Sequence, residues 1–263
     1  MNRMKSLGFS MIELMIAMAI GLVVIGSVLA FTLSSIGTNT EYVQATRLSQ
    51  ELRNSMDFVS RELRRAGYDQ NVGSYTAKYS LSNLVTSPFA RIFTTNDADG
   101  DGTNGDGCVI YAYDRSGGTS GTVDLASGEI RALRMATRNV DGLDVGVLEV
   151  AESAAGVTPD CDAAGPDYAN YPPSRNTTTG WSALSDPRVL NLTEFNLDTS
   201  GYIIQPGSAV SVPVTMREIG IELQGQLRRS EDGTVTRGIR SDVKIRADCL
   251  EASANCALAP TGT

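Results

Sequence analysis

The 263-residue sequence contains no histidine. That absence removes the Ser-His-Asp and Cys-His triads, the imidazole metal ligands and the most common general base together. The four cysteines include no Cys-x-x-Cys pair, so a zinc site has no support either. An enzyme is therefore disfavoured. Cations are also in the minority, with 22 Lys and Arg against 30 Asp and Glu and a formal charge of −8. Such a chain has no general attraction to nucleic acid phosphates. Long apolar runs are missing too, except at one end.

That exception is Phe9 to Leu33, FSMIELMIAMAIGLVVIGSVLAFTL, which carries a single charge, Glu13, and no proline. As a helix it would span about 37 Å, enough to cross a hydrocarbon core of about 30 Å. Arg3 and Lys5 precede it with no acid beside them, so the positive-inside rule places the N-terminus in the cytoplasm and the rest of the chain across the membrane. A cleaved secretory signal fits poorly, because the run exceeds a usual h-region and holds a carboxylate near its start. A plain anchor explains the length but leaves Glu13 without a cationic partner, and a carboxylate in a bilayer is costly.

The apolar run passes into an amphipathic stretch. Ala45, Leu48, Leu52, Met56, Val59, Leu63 and Ala66 recur at threes and fours, giving one apolar stripe. On the other side Arg47 and Glu51, Arg53 and Asp57, and Asp57 and Arg61 stand at i,i+4 spacing and are expected to pair. Gly67 is the expected stop, which makes Phe9 to Ala66 a rod of about 87 Å.

The remainder is β-rich. Strands are expected at Cys108–Tyr113, Glu129–Ala136, Val214–Leu227 and Thr234–Ala247, with the last two joined across an Asp232-Gly233 hairpin signal. In the last of these Ile239, Val243, Ile245 and Ala247 alternate with Arg240, Asp242, Lys244 and Arg246, so one face is buried and one solvated. The fold class is therefore α+β: a long N-terminal helix, with a membrane-spanning half (9–33) and an amphipathic half (34–67), packed on an antiparallel β-sheet head (68–263). Residues 154–187 form a Gly-, Pro- and Asn-rich insertion, and Trp181, Tyr168 and Tyr171 either dock it on the sheet or display it to a partner. Arg228, Arg229, Arg237 and Arg240 read as an ordinary exposed sheet face.

All four cysteines lie beyond the apolar run, in the compartment expected to be oxidising. Of three connectivities the favoured one joins Cys249 to Cys256, closing a short loop, and Cys108 to Cys161, tying the insertion to a strand; spacing excludes neither alternative. Asp97, Asp99, Asp101, Asn104 and Asp106 begin like an EF-hand loop, with Gly102 at its sixth position. Its twelfth position is Cys108 where a bidentate Glu is needed, so weak Ca²⁺ binding and a solvated Asp/Gly turn both remain open.

The string KSLGFSMIEL (residues 5–14) closely resembles the leader and mature N-terminus of type IV pilins and type II secretion pseudopilins. The resemblance implies a leader (1–8) removed between Gly8 and Phe9 by a prepilin peptidase, followed by methylation of the Phe9 amine. It also implies that Glu13 pairs with the Phe9 α-amine of a neighbouring subunit. Glu62–Tyr68, Gly107–Asp114 and Ser241–Arg246 are similar to PilW-type pilus assembly proteins, and the head is larger than that of a typical major pilin. The implied role is a minor pilin that primes or tips a type IV pilus, with other minor and major pilins and the inner-membrane assembly platform as partners. A J-type minor pseudopilin and a calcium-dependent tip adhesin are the alternatives, and no nucleic acid partner or cofactor beyond that Ca²⁺ is expected.

Overall fold

The computed structural model describes residues 10–70, 87–98, 105–115, 122–154, 156–200, 203–205, 214–227, 236–245 and 259–260. The chain divides into two units, Met1–Thr46 and Arg47–Thr263. One helix, α1 (Met11–Leu63), contributes to both. In the first unit α1 is built from Met, Ile, Leu, Ala and Val with no proline, and the Ser10 carbonyl accepts the N–H groups of Glu13 and Leu14 at 3.1 and 3.2 Å. Two of its hydroxyls are satisfied within the helix: Ser27 donates to the Val23 carbonyl at 2.7 Å and Thr32 to the Val28 carbonyl at 2.8 Å.

In the second unit the expected stripe is buried, with Leu48, Val59, Leu63 and Ala66 fully enclosed and Leu52 and Met56 nearly so. Each large side chain contributes about 1.5–3 kcal/mol on burial. The three expected i,i+4 ion pairs do not close among the described residues. Glu51 instead accepts the Asp186 N–H at 3.1 Å, and Arg61 lies over the Phe58 ring at 5.8 Å. The helix also ends before Gly67. After Leu63 it tightens into turns in which Arg65 and Ala66 donate to Glu62 and Leu63, and Gly67, at φ 78°, turns its N–H out to the Ala112 carbonyl at 2.8 Å.

The strands are β1 (Ile92–Thr95), β2 (Cys108–Ala112), β3 (Ile130–Val140), β4 (Leu143–Glu152), β5 (Trp181–Ala183), β6 (Leu190–Asp198), β7 (Ile203–Gln205), β8 (Val214–Met216), β9 (Glu218–Leu227), β10 (Thr236–Lys244) and β11 (Ala259–Pro260). A six-stranded sheet has the order β11-β1-β2-β3-β4-β5, antiparallel except where β11 joins β1. β10-β9-β6 make a second antiparallel sheet, and β7 pairs with β8. The expected strand at 129–136 runs on to Val140 and turns through Asp141-Gly142, at φ 53° and 82°, into β4, which the sequence reading did not separate. The expected strand at 214–227 breaks at Arg217, so β8 and β9 serve different sheets. β9 and β10 do pair, from Lys244 opposite Glu218 to Thr236 opposite Gln226; Asp232-Gly233 lies outside the described residues. Val243 and Ile245 are buried, while Arg240, Asp242 and Lys244 are exposed, as the alternation predicts.

Parity divides the six-stranded sheet into two faces. Leu133 and Met135 of β3, Val109 and Tyr111 of β2 and Leu148 of β4 join the α1 stripe in one core with Phe195, Ile221 and Val243 of the second sheet. Ala132 and Arg134 of β3 and Glu149 and Ala151 of β4 point the other way, where residues 156–180 cover them. β6 keeps Leu190, Leu192, Phe195 and Leu197 inward only because a bulge between Leu192 and Glu194 shifts its parity. The two sheets meet at glycines: a Cβ on Gly107 would lie 2.3 Å from the Phe195 carbonyl oxygen, and one on Gly146 would lie 1.9 Å from that of Leu192.

Candidate functional site

From Met11 to Ile36, α1 exposes almost every side chain, Met11 to 85% and Phe31 to 76%. This stretch measures about 39 Å, and α1 is the one helix among the described residues long and apolar enough to cross a membrane. Glu13 stands in its first turn as the only charge between Met11 and Thr40. Among the described residues it has no ion-pair partner, while Gly8 and Phe9 lie outside them. Apolar surface of this extent, interrupted by one carboxylate, is chemically incomplete and calls for lipid or other helices around it.

In the head the charges are instead paired internally. Glu149 of β4 is fully buried and stands opposite Arg134 in the β3–β4 register. The Arg134 Nε and Nη2 lie 2.9 and 2.8 Å from its Oε2, the Arg138 Nε donates to its Oε1 at 2.7 Å, and the Tyr168 hydroxyl donates to Oε1 at 3.0 Å. Arg134 also donates to the carbonyls of Cys161 and Ala163, with its guanidinium 3.9 Å over the Trp181 ring. Burial first, then the Glu149 charge, pushes the Tyr168 phenol well above its ordinary value. Burial pulls the Arg134 guanidinium down against the opposing pull of Glu149, though arginine remains charged. On the helix side Glu62 accepts the Tyr111 hydroxyl at 2.9 Å, with Arg131 Nε at 2.8 Å and Arg65 at 3.2 Å. These two clusters lock α1 and the 156–180 segment to opposite faces of the sheet.

The family model for prepilin peptidase-dependent protein B matches residues 41–245, and that for the prokaryotic N-terminal methylation motif matches residues 3–29. The chain belongs to the prepilin peptidase-dependent protein B family. It is a type IV pilin-like protein, processed by prepilin peptidase, with an apolar N-terminal helix suited to membrane anchoring. No curated protein and no solved structure matches it.

The methylation motif covers Gly8, Phe9 and Glu13, whereas the family match begins just before the α1 stripe and ends with the buried Ile245. In this prepilin peptidase-dependent protein Cys108 and Cys161 form a disulfide, so the insertion is tied to β2; Cys249 and Cys256 lie outside the described residues. Of the acidic loop, Asp97 and Asp106 form a parallel bridge, and the Asp106 carboxylate accepts the Ala98 N–H at 3.2 Å. Asp99, Asp101 and Asn104 lie outside the described residues, among which no group of three acidic or thiol ligands converges. Trp181 and Tyr168 are buried against the sheet and Tyr171 is 47% exposed, so two of the three aromatics dock the insertion. Arg237 and Arg240 are exposed as expected, while Arg228 and Arg229 lie outside the described residues. Arg134, Arg138 and Glu149 were missed by the sequence reading. Their signal is two arginines four apart on one strand and a lone acid within Val145–Ala151.

Proposed function

We propose that this chain is a minor pilin that primes or tips a type IV pilus after cleavage between Gly8 and Phe9. The observation that carries the reading is the exposed apolar stretch of α1 with Glu13 as its one charge, directly behind the leader. A neighbouring subunit's α-amine beside Glu13 offsets the cost of holding that carboxylate in an apolar bundle. Arg3 and Lys5 favour a cytoplasmic N-terminus and a periplasmic head. The work is assembly rather than catalysis: the helix is stored in the inner membrane, gathers other pilins through its apolar face and offers the assembly platform a start point. The test is Gly8→Ala in the producing cell. Precursor-sized protein and loss of pili are expected; mature-sized protein with normal pili overturns the reading. A deletion strain that keeps its pili and loses protein secretion would assign the chain to a type II secretion system instead.

A further inference from the structure

Among the described residues β10 ends the second sheet, with β9 on one side and no strand on the other. The far end of that sheet is closed: Gly107 donates its N–H to the Phe195 carbonyl of β6 at 2.8 Å, and Phe195 donates its own to the Gly105 carbonyl at 2.6 Å. The edge strands β5, β7, β8 and β11 run only two or three residues. β10 runs nine, without a proline, and its register against β9 has no bulge, so two of the usual devices that blunt an edge are missing. Its backbone groups can be assigned a direction. Ile245, next in line, donates its N–H toward β9, to the Arg217 carbonyl at 2.9 Å. These groups alternate along a strand, so those of Gly238, Arg240, Asp242 and Lys244 face the open side. Side chains alternate as well: Ile239 and Ser241 are half-buried and Val243 buried on the core side, while Arg240, Asp242 and Lys244 are exposed on the other.

We propose that β10 pairs antiparallel with β10 of a second copy of this chain, about a two-fold axis at Ser241, so that two three-stranded sheets become one. The occupant and the register both follow from the strand's own charges. An outward-facing backbone must meet another, so the axis passes through a residue rather than between two. An axis at Asp242 sets that acid against itself and Arg240 against Lys244, and one at Arg240 sets the arginine against itself. An axis at Ile239 leaves Arg240 and Asp242 opposite the uncharged Gly238 and Thr236. At Val243 the two strands overlap over 242–244 alone, and Arg240 then meets Arg246. At Ser241 each Arg240 stands opposite the other copy's Asp242 on the exposed side, and each Ile239 opposite the other's Val243 on the core side. Opposite charges and aliphatic pairs across strands stabilise, and like charges directly opposite destabilise. In this register the outward groups of residues 238, 240, 242 and 244 exchange about eight backbone hydrogen bonds. The contact is isologous and closes at two copies. It goes beyond the pilus reading and does not depend on it.

The test uses the full chain in detergent micelles, carrying Ser241→Cys and treated with a mild oxidant, with the joined peptides mapped by mass spectrometry. At the axis the two Ser241 residues form a pair without backbone bonds, their Cα atoms about 4.5 Å apart, within reach of a disulfide. A dimer joined at residue 241 of both copies is expected. Thr236→Cys lies about 33 Å from its counterpart in this register and should give at least about tenfold less dimer. In the Ser241→Cys chain, Arg240→Asp sets acid against acid and should lower the yield about tenfold, and adding Asp242→Arg should restore it. No dimer through residue 241, equal yields from positions 241 and 236, a yield indifferent to Arg240→Asp, or no restoration by Asp242→Arg would each overturn the proposal. Unchanged thermal unfolding of the charge variants separates a lost contact from a lost fold, and the comparison of positions 241 and 236 alters no charged residue.

Discussion

Glu149 and Glu13 are the same side chain in apolar surroundings, met in opposite ways. Glu149 is fully buried, yet two arginines and a tyrosine meet it at 2.7–3.0 Å from within the same head. Glu13 sits among exposed apolar side chains with no ion-pair partner among the described residues. A carboxylate removed from water needs a cation and hydrogen-bond donors wherever it is. The head supplies its own; the N-terminal helix shows none among the described residues, and under the proposed function it takes its partner from another chain.

The largest expected effect comes from breaking the internally paired side. Glu149→Ala leaves Arg134 enclosed without its counter-charge, and the head should lose about 3–5 kcal/mol in a urea unfolding curve; a loss under about 1 kcal/mol would show that the cluster is not what holds the insertion down. Tyr111→Phe removes the buried hydroxyl from Glu62 and should cost about 1–2 kcal/mol at neutral pH. It should also flatten the alkaline end of the stability profile. Burial, then the neighbouring Glu62, raises the Tyr111 phenol well above its ordinary value. In the unfolded chain that phenol ionises near pH 10, so its contribution is whole below about pH 10 and is lost as pH climbs through the folded value. The variant should therefore lose less stability than the parent above about pH 10, and equal losses would remove Tyr111 from the account. The smallest effect on the head belongs to the N-terminal helix. Glu13→Gln should leave head stability unchanged within about 0.5 kcal/mol while filament assembly is lost, and a destabilised head would mean the two regions are not separate in this respect.

The helix and its stripe were legible because the 3.6-residue period is local, and each of Leu48, Leu52, Met56, Val59 and Leu63 went where it points. The β9–β10 pair was legible for the same reason, through alternation and a nearby turn signal. The Glu149 cluster was not, because residues 134, 138 and 149 meet only through register and Tyr168 reaches them from the covering segment. Yet Asp141-Gly142 is the same kind of turn signal as Asp232-Gly233, and counting outward from Val140 opposite Leu143 brings Arg134 opposite Glu149. Reading that turn would have exposed both β4 and the ion cluster. The expected helix ion pairs failed for a different reason: Glu51 found a backbone donor at Asp186, a partner 135 residues away that no helical spacing reveals. Helix α1 stopped short of Gly67 because the left-handed glycine serves a long-range bond to β2.

Gly107 and Gly146 leave no room even for a methyl group between their own backbones and the carbonyls of β6. They act as rivets between two plates: the gap between the sheets is set by bare backbone rather than by side chains that can be traded for one another. The core trapped beside them thus has a fixed volume, and sequence drift there is confined to swaps that conserve size. The covering segment, fastened at a few points along an outer face, is where the protein is free to change length and chemistry without moving the plates.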